Sequence, residues 1–317
     1  MNTPAASVLP DRDVRRGFLL GVTAYGLWGV LPIYFKAIAE VAAVDIVAHR
    51  ILWSLPFLAL LLFVTRGWGE VAQALRRRRT LFLLLGTSVL IAINWLLYVY
   101  AVTSGHILAG SLGYYLNPLV NVLLGRFVLK ERLSWLQWAA IAIAAAGILA
   151  LIGGALDQLW ISLTLAITFA TYGLLRKIAL VDAVAGLTIE TGVLVPLAIG
   201  WLAWRLASGE PSLGSNGGET GLLLLAGVVS TIPLLLFTAA ARRLPYSTLG
   251  MLQFIAPTLQ FLLAVWLYGE PFGNAHAVAF GAIWTALALY TLALVREARE
   301  RRAPEQGTAA ASPALPK

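Results

Sequence analysis

Apolar residues fill ten long segments of this 317-residue chain, and short polar loops separate them. A helix needs about 20 apolar residues to cross the hydrocarbon core of a bilayer. The predicted spans are 17–38, 44–64, 80–101, 107–128, 134–152, 157–177, 184–206, 220–241, 246–268 and 274–295. Almost nothing is left for a soluble domain. The pattern therefore predicts an all-α polytopic membrane protein with ten transmembrane helices, whose surroundings are a lipid bilayer.

The last five predicted spans repeat features of the first five. Four matches recur in the same order. Three are short segments, 25–27 with 172–174, 44–48 with 181–185 and 111–113 with 248–250, and the fourth is a proline followed thirteen positions later by a glutamate, at 118 and 131 and again at 257 and 270. Equivalent helices lie five spans apart, and this odd number inverts one half relative to the other, as in many secondary transporters. Chance similarity among apolar helices is the alternative. We expect two inverted five-helix repeats, at 17–152 and 157–295, between a cytoplasmic arm at 1–16 and a disordered tail at 296–317.

Basic residues indicate the orientation. The chain has 23 Lys and Arg residues and a net charge of +8, although only 12% of its residues are charged and 60% are hydrophobic. In a ten-span topology, every basic residue except Lys36, Arg50 and Arg205 lies on one side. Basic loops stay in the cytoplasm, so both termini are expected there. Topology accounts for the positive charge, and we expect no nucleic-acid partner.

Polar side chains inside the spans mark a candidate path for a solute. Tyr114, Asn117 and Asn121 share one face of span 4, and Gln253 and Gln260 share the equivalent face of span 9. With residues of spans 1 and 3, the candidate substrate pathway is Tyr25, Trp28, Asn94, Tyr98, Tyr114, Asn117, Asn121, Gln253 and Gln260, with helix kinks at Pro118 and Pro257. The alternative roles are hydrogen bonding between helices for the amides and interfacial anchoring for the rings.

Three ionisable residues inside spans are candidates for proton coupling or charge recognition. A charge at the bilayer centre costs roughly 3 kcal/mol or more, so such a group normally faces protein or water. Arg50 either binds an anionic group of a substrate or reaches the surface and helix-end carbonyls. His49 either carries a coupling proton or packs as a buried histidine. Glu190 either carries a proton or pairs with Arg176 or Lys177.

The sequence contains no signature of catalysis. It has no Cys, no metalloprotease, nucleophile-elbow or phosphate-loop motif, and no carboxylate cluster suited to a metal. Glu131 and Glu270 are expected near the N-terminus of the following helix, where the helix dipole favours an acid. We expect no enzyme activity, no metal and no cofactor. A lipid-modifying membrane enzyme and a non-transporting scaffold or sensor are the alternatives.

Several motifs together resemble one transporter family. They are the segment 25–29 with Pro32, the segment 48–54, Asn94-Trp95, Gly105-His106, 111–114 with Asn117-Pro118, and 253–260. In combination, over about residues 15–296, they resemble the RarD branch of the EamA-type drug/metabolite transporters. This resemblance implies a ten-helix protein of the cell inner membrane, built of two EamA-type repeats. It also implies a permease for a small organic solute, in a family traditionally labelled chloramphenicol-sensitive. The expected mechanism is alternating access around a midplane cavity.

Overall fold

The computed structural model describes residues 11–38, 40–103, 107–152, 159–210, 213–267 and 274–302, and all regular structure in these ranges is helical. The helices are α1 (Asp11–Lys36), α2 (Ala43–Thr65), α3 (Trp68–Arg76), α4 (Arg78–Thr103), α5 (Ile107–Phe127), α6 (Trp135–Ile152), α7 (Leu159–Ile178), α8 (Ala183–Ala207), α9 (Gly217–Ala241), α10 (Tyr246–Leu252), α11 (Ile255–Leu262) and α12 (Asn274–Arg302). A π-helical turn, Leu263–Leu267, follows α11. His106, Glu270 and the expected repeat boundary at 153–156 lie outside the described residues.

Eight helical segments of the described chain are long and apolar enough to cross a membrane. They are Arg12–Lys36, Ala43–Thr65, Arg78–Tyr98, Leu159–Ile178, Ala183–Ala207, Gly217–Ala241, Tyr246–Leu267 and Ala277–Glu297, and Trp135–Leu149 is a shorter apolar helix. Helix α5 is 21 residues long. The prediction of a multi-pass all-α membrane protein is confirmed, and the count of ten spans stays a prediction.

The two proline-containing spans of the predicted repeat differ in regularity. Helix α5 runs through Pro118 without interruption. The span 246–268 is divided instead, since α10 ends at Leu252 and α11 begins at Ile255. Pro257 has no N–H with which to bond the Gln253 carbonyl four residues earlier, and that carbonyl accepts from the Ala256 N–H at 3.2 Å. A hydrogen bond that spans three residues forms a tighter turn than the α-helix does. This turn lies between α10 and α11, one turn before the proline.

Glu131 caps a different helix from the one expected. Its carboxylate accepts hydrogen bonds from the backbone N–H groups of Tyr246 at 2.5 Å and Ser247 at 3.0 Å, and from the Ser247 hydroxyl at 2.7 Å. These N–H groups begin α10, which has no side-chain cap at its preceding residue. The expectation that Glu131 serves the next helix, α6, is wrong, because Ser134 and Gln137 form a reciprocal cap there.

The chain divides into two compact units. In the smaller unit, α6 packs along α12. In the larger unit, α1 contacts α9, α10 and α11, while α7 contacts α4 and α5; α2 contacts α8 and α9, and α4 contacts α8. In the predicted repeat, each of spans one to five has a counterpart five spans later. When every helix is replaced by its counterpart, each of these contacting pairs becomes a pair that is also in contact. The α1–α9 pair becomes α7–α4, the pairs of α1 with α10 and α11 become α7–α5, and α2–α9 becomes α8–α4.

The close approach of α2 to α9 depends on Gly227. A Cβ atom at this position would overlap the backbone of Trp53 and Ser54. The Thr231 hydroxyl on α9 donates to the Ser54 oxygen on α2 at 2.8 Å. The Ser54 hydroxyl donates to the Arg50 carbonyl of its own helix at 2.5 Å and lies 3.3 Å from the Gly227 carbonyl. Small residues let helix backbones approach each other in a membrane, where the hydrophobic effect does not drive helices together. Gly227 therefore sets the distance between these two helices.

We expect Gly227→Ala to destabilise the protein, because the added methyl group must displace α2 at a cost of about 1–3 kcal/mol. Gly221→Ala on the same helix is the matched control, since no heavy atom lies within 4 Å of a Cβ built there. Thermal unfolding of both variants in one detergent should give a lower Tm for Gly227→Ala alone. Equal Tm values would contradict the proposed packing.

Candidate functional site

A cavity of about 220 Å³ lies within the larger unit, lined by residues of α1, α2, α4, α5, α7, α9 and the α10–α11 segment. Many of the residues singled out in the sequence line it: Tyr25, Trp28, Arg50, Asn94, Tyr98, Tyr114, Gln253, Pro257 and Gln260. Asn117, Asn121, Pro118, His49 and Glu190 are not among the described lining residues. The cavity thus brings together side chains from both sequence halves.

The cavity lies nearer one end of the helices than the other. Its lining residues occupy the C-terminal halves of α1 and α4 and the N-terminal halves of α2 and α5. The Lys and Arg clusters flank the opposite ends of these helices. Within the larger unit, the cavity therefore lies toward the end away from the basic loops.

Aromatic rings close the inner side of the cavity. The ring of Phe237 contacts the rings of Tyr25, Trp28, Phe169 and Tyr172, with centroid distances of 6.2, 5.7, 5.4 and 6.5 Å. Phe237 is fully buried and is not a lining residue. One pair is edge-on, two are tilted and the pair with Tyr172 is stacked, and aromatic pairs at these distances are favourable. This cluster separates the cavity from the helix ends that carry the basic residues.

The amides of the cavity wall also join helices. Asn94 donates to the Leu165 carbonyl at 2.9 Å and to the Thr168 hydroxyl at 3.0 Å, both on α7. Gln260 donates to the Trp28 carbonyl on α1 at 3.1 Å. Pro32 follows Trp28 by four residues and cannot supply the usual helical N–H to that carbonyl, so Gln260 takes its place. Asn94 and Gln260 therefore line the cavity and also form hydrogen bonds between helices, so these two roles are compatible.

Asn121 and Asn117 lie one turn apart on α5 and have different surroundings. Asn121 Nδ2 donates to Gln253 Oε1 at 2.8 Å, which links α5 to the end of α10. Asn117 is fully buried, and neither polar atom of its side chain has a hydrogen-bond partner among the described residues. Their place in a substrate pathway stays a prediction.

Arg50 brings a positive charge to the cavity. Its guanidinium carbon lies 3.8 Å from the ring centroid of Trp95, a cation–π contact that stabilises by roughly 0.5–2 kcal/mol. Placing an arginine inside the membrane costs roughly 3 kcal/mol or more. The ring therefore offsets only part of that cost.

Glu190 lies in a separate buried network. Its carboxylate accepts hydrogen bonds from the hydroxyl groups of Thr87 at 2.5 Å and Tyr172 at 3.2 Å, and Nε of Arg176 lies 3.6 Å away. The network joins α4, α7 and α8. His49 is buried on α2. Neither His49 nor Glu190 is among the described lining residues of the cavity. A proton-coupling role for either residue stays a prediction.

Sequence reasoning did not select several residues of the wall. They are Leu31, Phe35, Ile91, Phe169, Leu234 and Ala256. All are apolar, and an apolar side chain inside a membrane span gives no signal that separates a cavity wall from helix packing. Pro32 and Trp95, which the sequence places on the stripe of Trp28 and beside Asn94, also line the cavity, and the ring of Trp95 contacts Arg50.

Asn121→Leu should lower the stability of the protein by about 1–3 kcal/mol, because it leaves the buried Gln253 oxygen without a donor. Asn117→Leu should cause no loss, because it removes two buried polar atoms that have no partners in the described structure. The two Leu variants serve as controls for each other in thermal unfolding. A larger loss of Tm for Asn117→Leu than for Asn121→Leu would contradict the hydrogen-bond assignment.

Comparisons with known proteins agree on one family. Residues 15–153 match the EamA-like transporter family. A Vibrio cholerae protein named as an uncharacterized transporter is 45% identical over 287 residues, which cover 89% of this chain and 94% of the relative. Protein RarD of Escherichia coli is 44% identical over 289 residues, which cover 89% and 95% of the two chains.

Two further matches have lower sequence identity to this chain. A Pseudomonas aeruginosa protein named chloramphenicol-sensitive protein RarD is 34% identical over 280 residues, covering 86% of this chain and 93% of the relative. One crystal structure superposes with a TM-score of 0.69 at 23% identity, covering 87% of this chain and 97% of the other. At that identity the structural match supports the fold alone.

Proposed function

The chain belongs to the RarD branch of the EamA-like drug/metabolite transporters, and from this premise we propose that it is a secondary transporter for a small organic solute. The observation that carries the proposal is the cavity, whose wall combines α1, α2, α4 and α5 with α7, α9 and α11. Relatives named as transporters support the more general assignment of this chain as a membrane transporter.

The size of the cavity favours a small solute. Sites for drug-sized ligands enclose about 300–1,000 Å³, whereas this cavity encloses about 220 Å³. A solute with one or two rings matches this space better than a larger drug. The lining is mostly aromatic and apolar with a few amides, which suits a solute with an apolar body and one or two polar groups.

Alternating access is the proposed mechanism. The pairs formed by helices of the larger unit map onto one another when the two sets of spans are exchanged, which supports an inverted repeat. In such proteins the site lies where the repeats meet, and rocking of one bundle against the other exposes it to each side in turn. We propose that the ten predicted spans form two EamA-type repeats of this kind.

The end of the larger unit beyond the aromatic cluster is held by polar contacts. Glu131 holds the beginning of α10, as described above. Lys177 donates to the carbonyls of Ala241, at 2.8 Å, and Leu244. These contacts join the segment after α5 to α10, and α7 to the end of α9, beside the basic loops. We propose that they form the closed gate in this conformation and must loosen before the solute leaves on that side.

The proposed orientation follows from the basic residues. With basic loops in the cytoplasm, both termini are cytoplasmic, the gate faces the cytoplasm and the cavity lies toward the outer side of the inner membrane. The structure would then represent an outward-facing state.

The test is solute uptake into proteoliposomes supplied with a bacterial metabolite extract and analysed by mass spectrometry. Ala256 lines the cavity, so Ala256→Phe should fill it and reduce accumulation of transported solutes to the level of protein-free liposomes. Ala203→Phe is the matched control because Ala203 is exposed on the outer surface of α8. This control should behave as the wild type does.

Imposed gradients of pH and of electrical potential should be tested separately in these liposomes. The proposal is contradicted if the wild type accumulates no solute above the protein-free level under either gradient. It is also contradicted if Ala256→Phe, folded and inserted normally, accumulates the same solutes as the wild type.

A further inference from the structure

We propose that the cavity selects small organic anions, with a carboxylate bound at Arg50 and an aromatic or flat apolar body against the rings of Trp28, Tyr98 and Tyr114. The inference rests on the proposed function and adds the substrate class. It follows from how the charges, the hydrogen-bond donors and the rings are distributed around the cavity.

Among Arg50 on α2, Arg176 on α7 and Arg205 on α8, Arg50 is the one for which the described residues supply no carboxylate partner. Arg176 faces Glu190 across 3.6 Å, and Arg205 contacts Asp45 at 2.9 Å. No described carboxylate lies within 4 Å of the guanidinium nitrogens of Arg50. Arginines in membrane spans are normally paired or in contact with water. A site that presents such a charge to a cavity fits an anionic ligand.

The contact with Trp95 leaves the hydrogen-bonding capacity of Arg50 available. The guanidinium lies over the ring, and this contact uses its positive charge but not its N–H donors. A guanidinium has five such donors in a planar fork that matches a carboxylate with two parallel hydrogen bonds. No hydrogen bond from the Arg50 side chain joins it to another described residue. The free donors and the charge therefore point to the same kind of ligand group.

The rest of the wall fits the body of the solute. The rings of Tyr98 and Tyr114 lie edge to face with centroids 5.5 Å apart, and Trp28 adds a broad apolar surface across the cavity. Among the described lining residues, Arg50 is the only charged one. None of the described lining residues is acidic and able to neutralise a cation, so the electrostatics disfavour amines.

Three probes of nearly equal shape show whether the cavity prefers an anionic, a neutral or a cationic ligand. They are 1-naphthaleneacetate, the neutral 1-naphthaleneacetamide and the cationic 2-(1-naphthyl)ethylamine. Titration calorimetry of the purified full-length protein in nanodiscs gives the Kd of each probe without requiring transport. The wild type should bind the acid at least about tenfold more tightly than the amide, as expected for a charge-assisted bidentate contact. The amine should bind most weakly.

Two substitutions at Arg50 test whether this residue causes the preference for the acid over the amide. Arg50→Gln should reduce the ratio of acid to amide affinity to below about threefold while leaving amide binding nearly unchanged, because only the charge-assisted contact is lost. Arg50→Lys keeps the charge but not the fork and should give an intermediate ratio, which also covers the case in which Arg50→Gln does not fold. Arg243→Gln is the matched control, since Arg243 lies just after α9, bonds the Ala239 carbonyl near the end of that helix and is not among the described lining residues of the cavity.

Preferential binding of the acid that disappears in Arg50→Gln supports the inference. Equal affinities for acid and amide in the wild type, tightest binding of the amine, or an acid preference that survives in Arg50→Gln overturns it. Failure of all three probes to bind also overturns it. These results leave the proposed transport function standing, because that function is judged by the uptake of unselected metabolites and its loss in Ala256→Phe.

Discussion

A bilayer core offers no water to polar groups, and this constraint explains most of the polar contacts inside the protein. Pro32 leaves the Trp28 carbonyl without its helical donor, and Gln260 from another helix supplies one at 3.1 Å. Asn121 likewise bonds Gln253 where the chain leaves α10. Each contact gives a polar group a hydrogen-bond partner and joins two helical segments. The cavity wall and the helix contacts are therefore made by the same side chains.

The same constraint separates structural charges from a charge available to a ligand. Glu190 and Arg176 meet inside the bundle with two hydroxyl donors on the carboxylate, and breaking such a buried pair usually costs several kcal/mol, about 3–5. These residues suit a fixed framework. The guanidinium of Arg50 lies over the ring of Trp95, and no described carboxylate pairs with it. The cavity therefore presents one strong electrostatic feature in a wall that is otherwise aromatic and apolar.

The sequence predicts the helical membrane fold because span length and apolar content are physical requirements of the bilayer. It also selects many residues of the cavity wall, because polar side chains on one helical face must point away from lipid. It cannot identify the partner helix. Glu131 was assigned to the next helix and instead caps α10, and Asn117 shares a stripe with Tyr114 yet lies outside the lining. Periodicity gives the face of a residue, whereas the neighbour depends on tertiary packing.

The central claim is that one cavity is reached from both sides of the membrane in turn. The chain has no native Cys, so Ala256→Cys places a single thiol in the cavity wall with little change in volume. The most direct measurement is its reaction with a membrane-impermeant maleimide, in intact cells and in inside-out vesicles. The account predicts labelling from both faces, faster from the outer face in the conformation described here. Labelling from only one face, or from neither in folded protein, would contradict it.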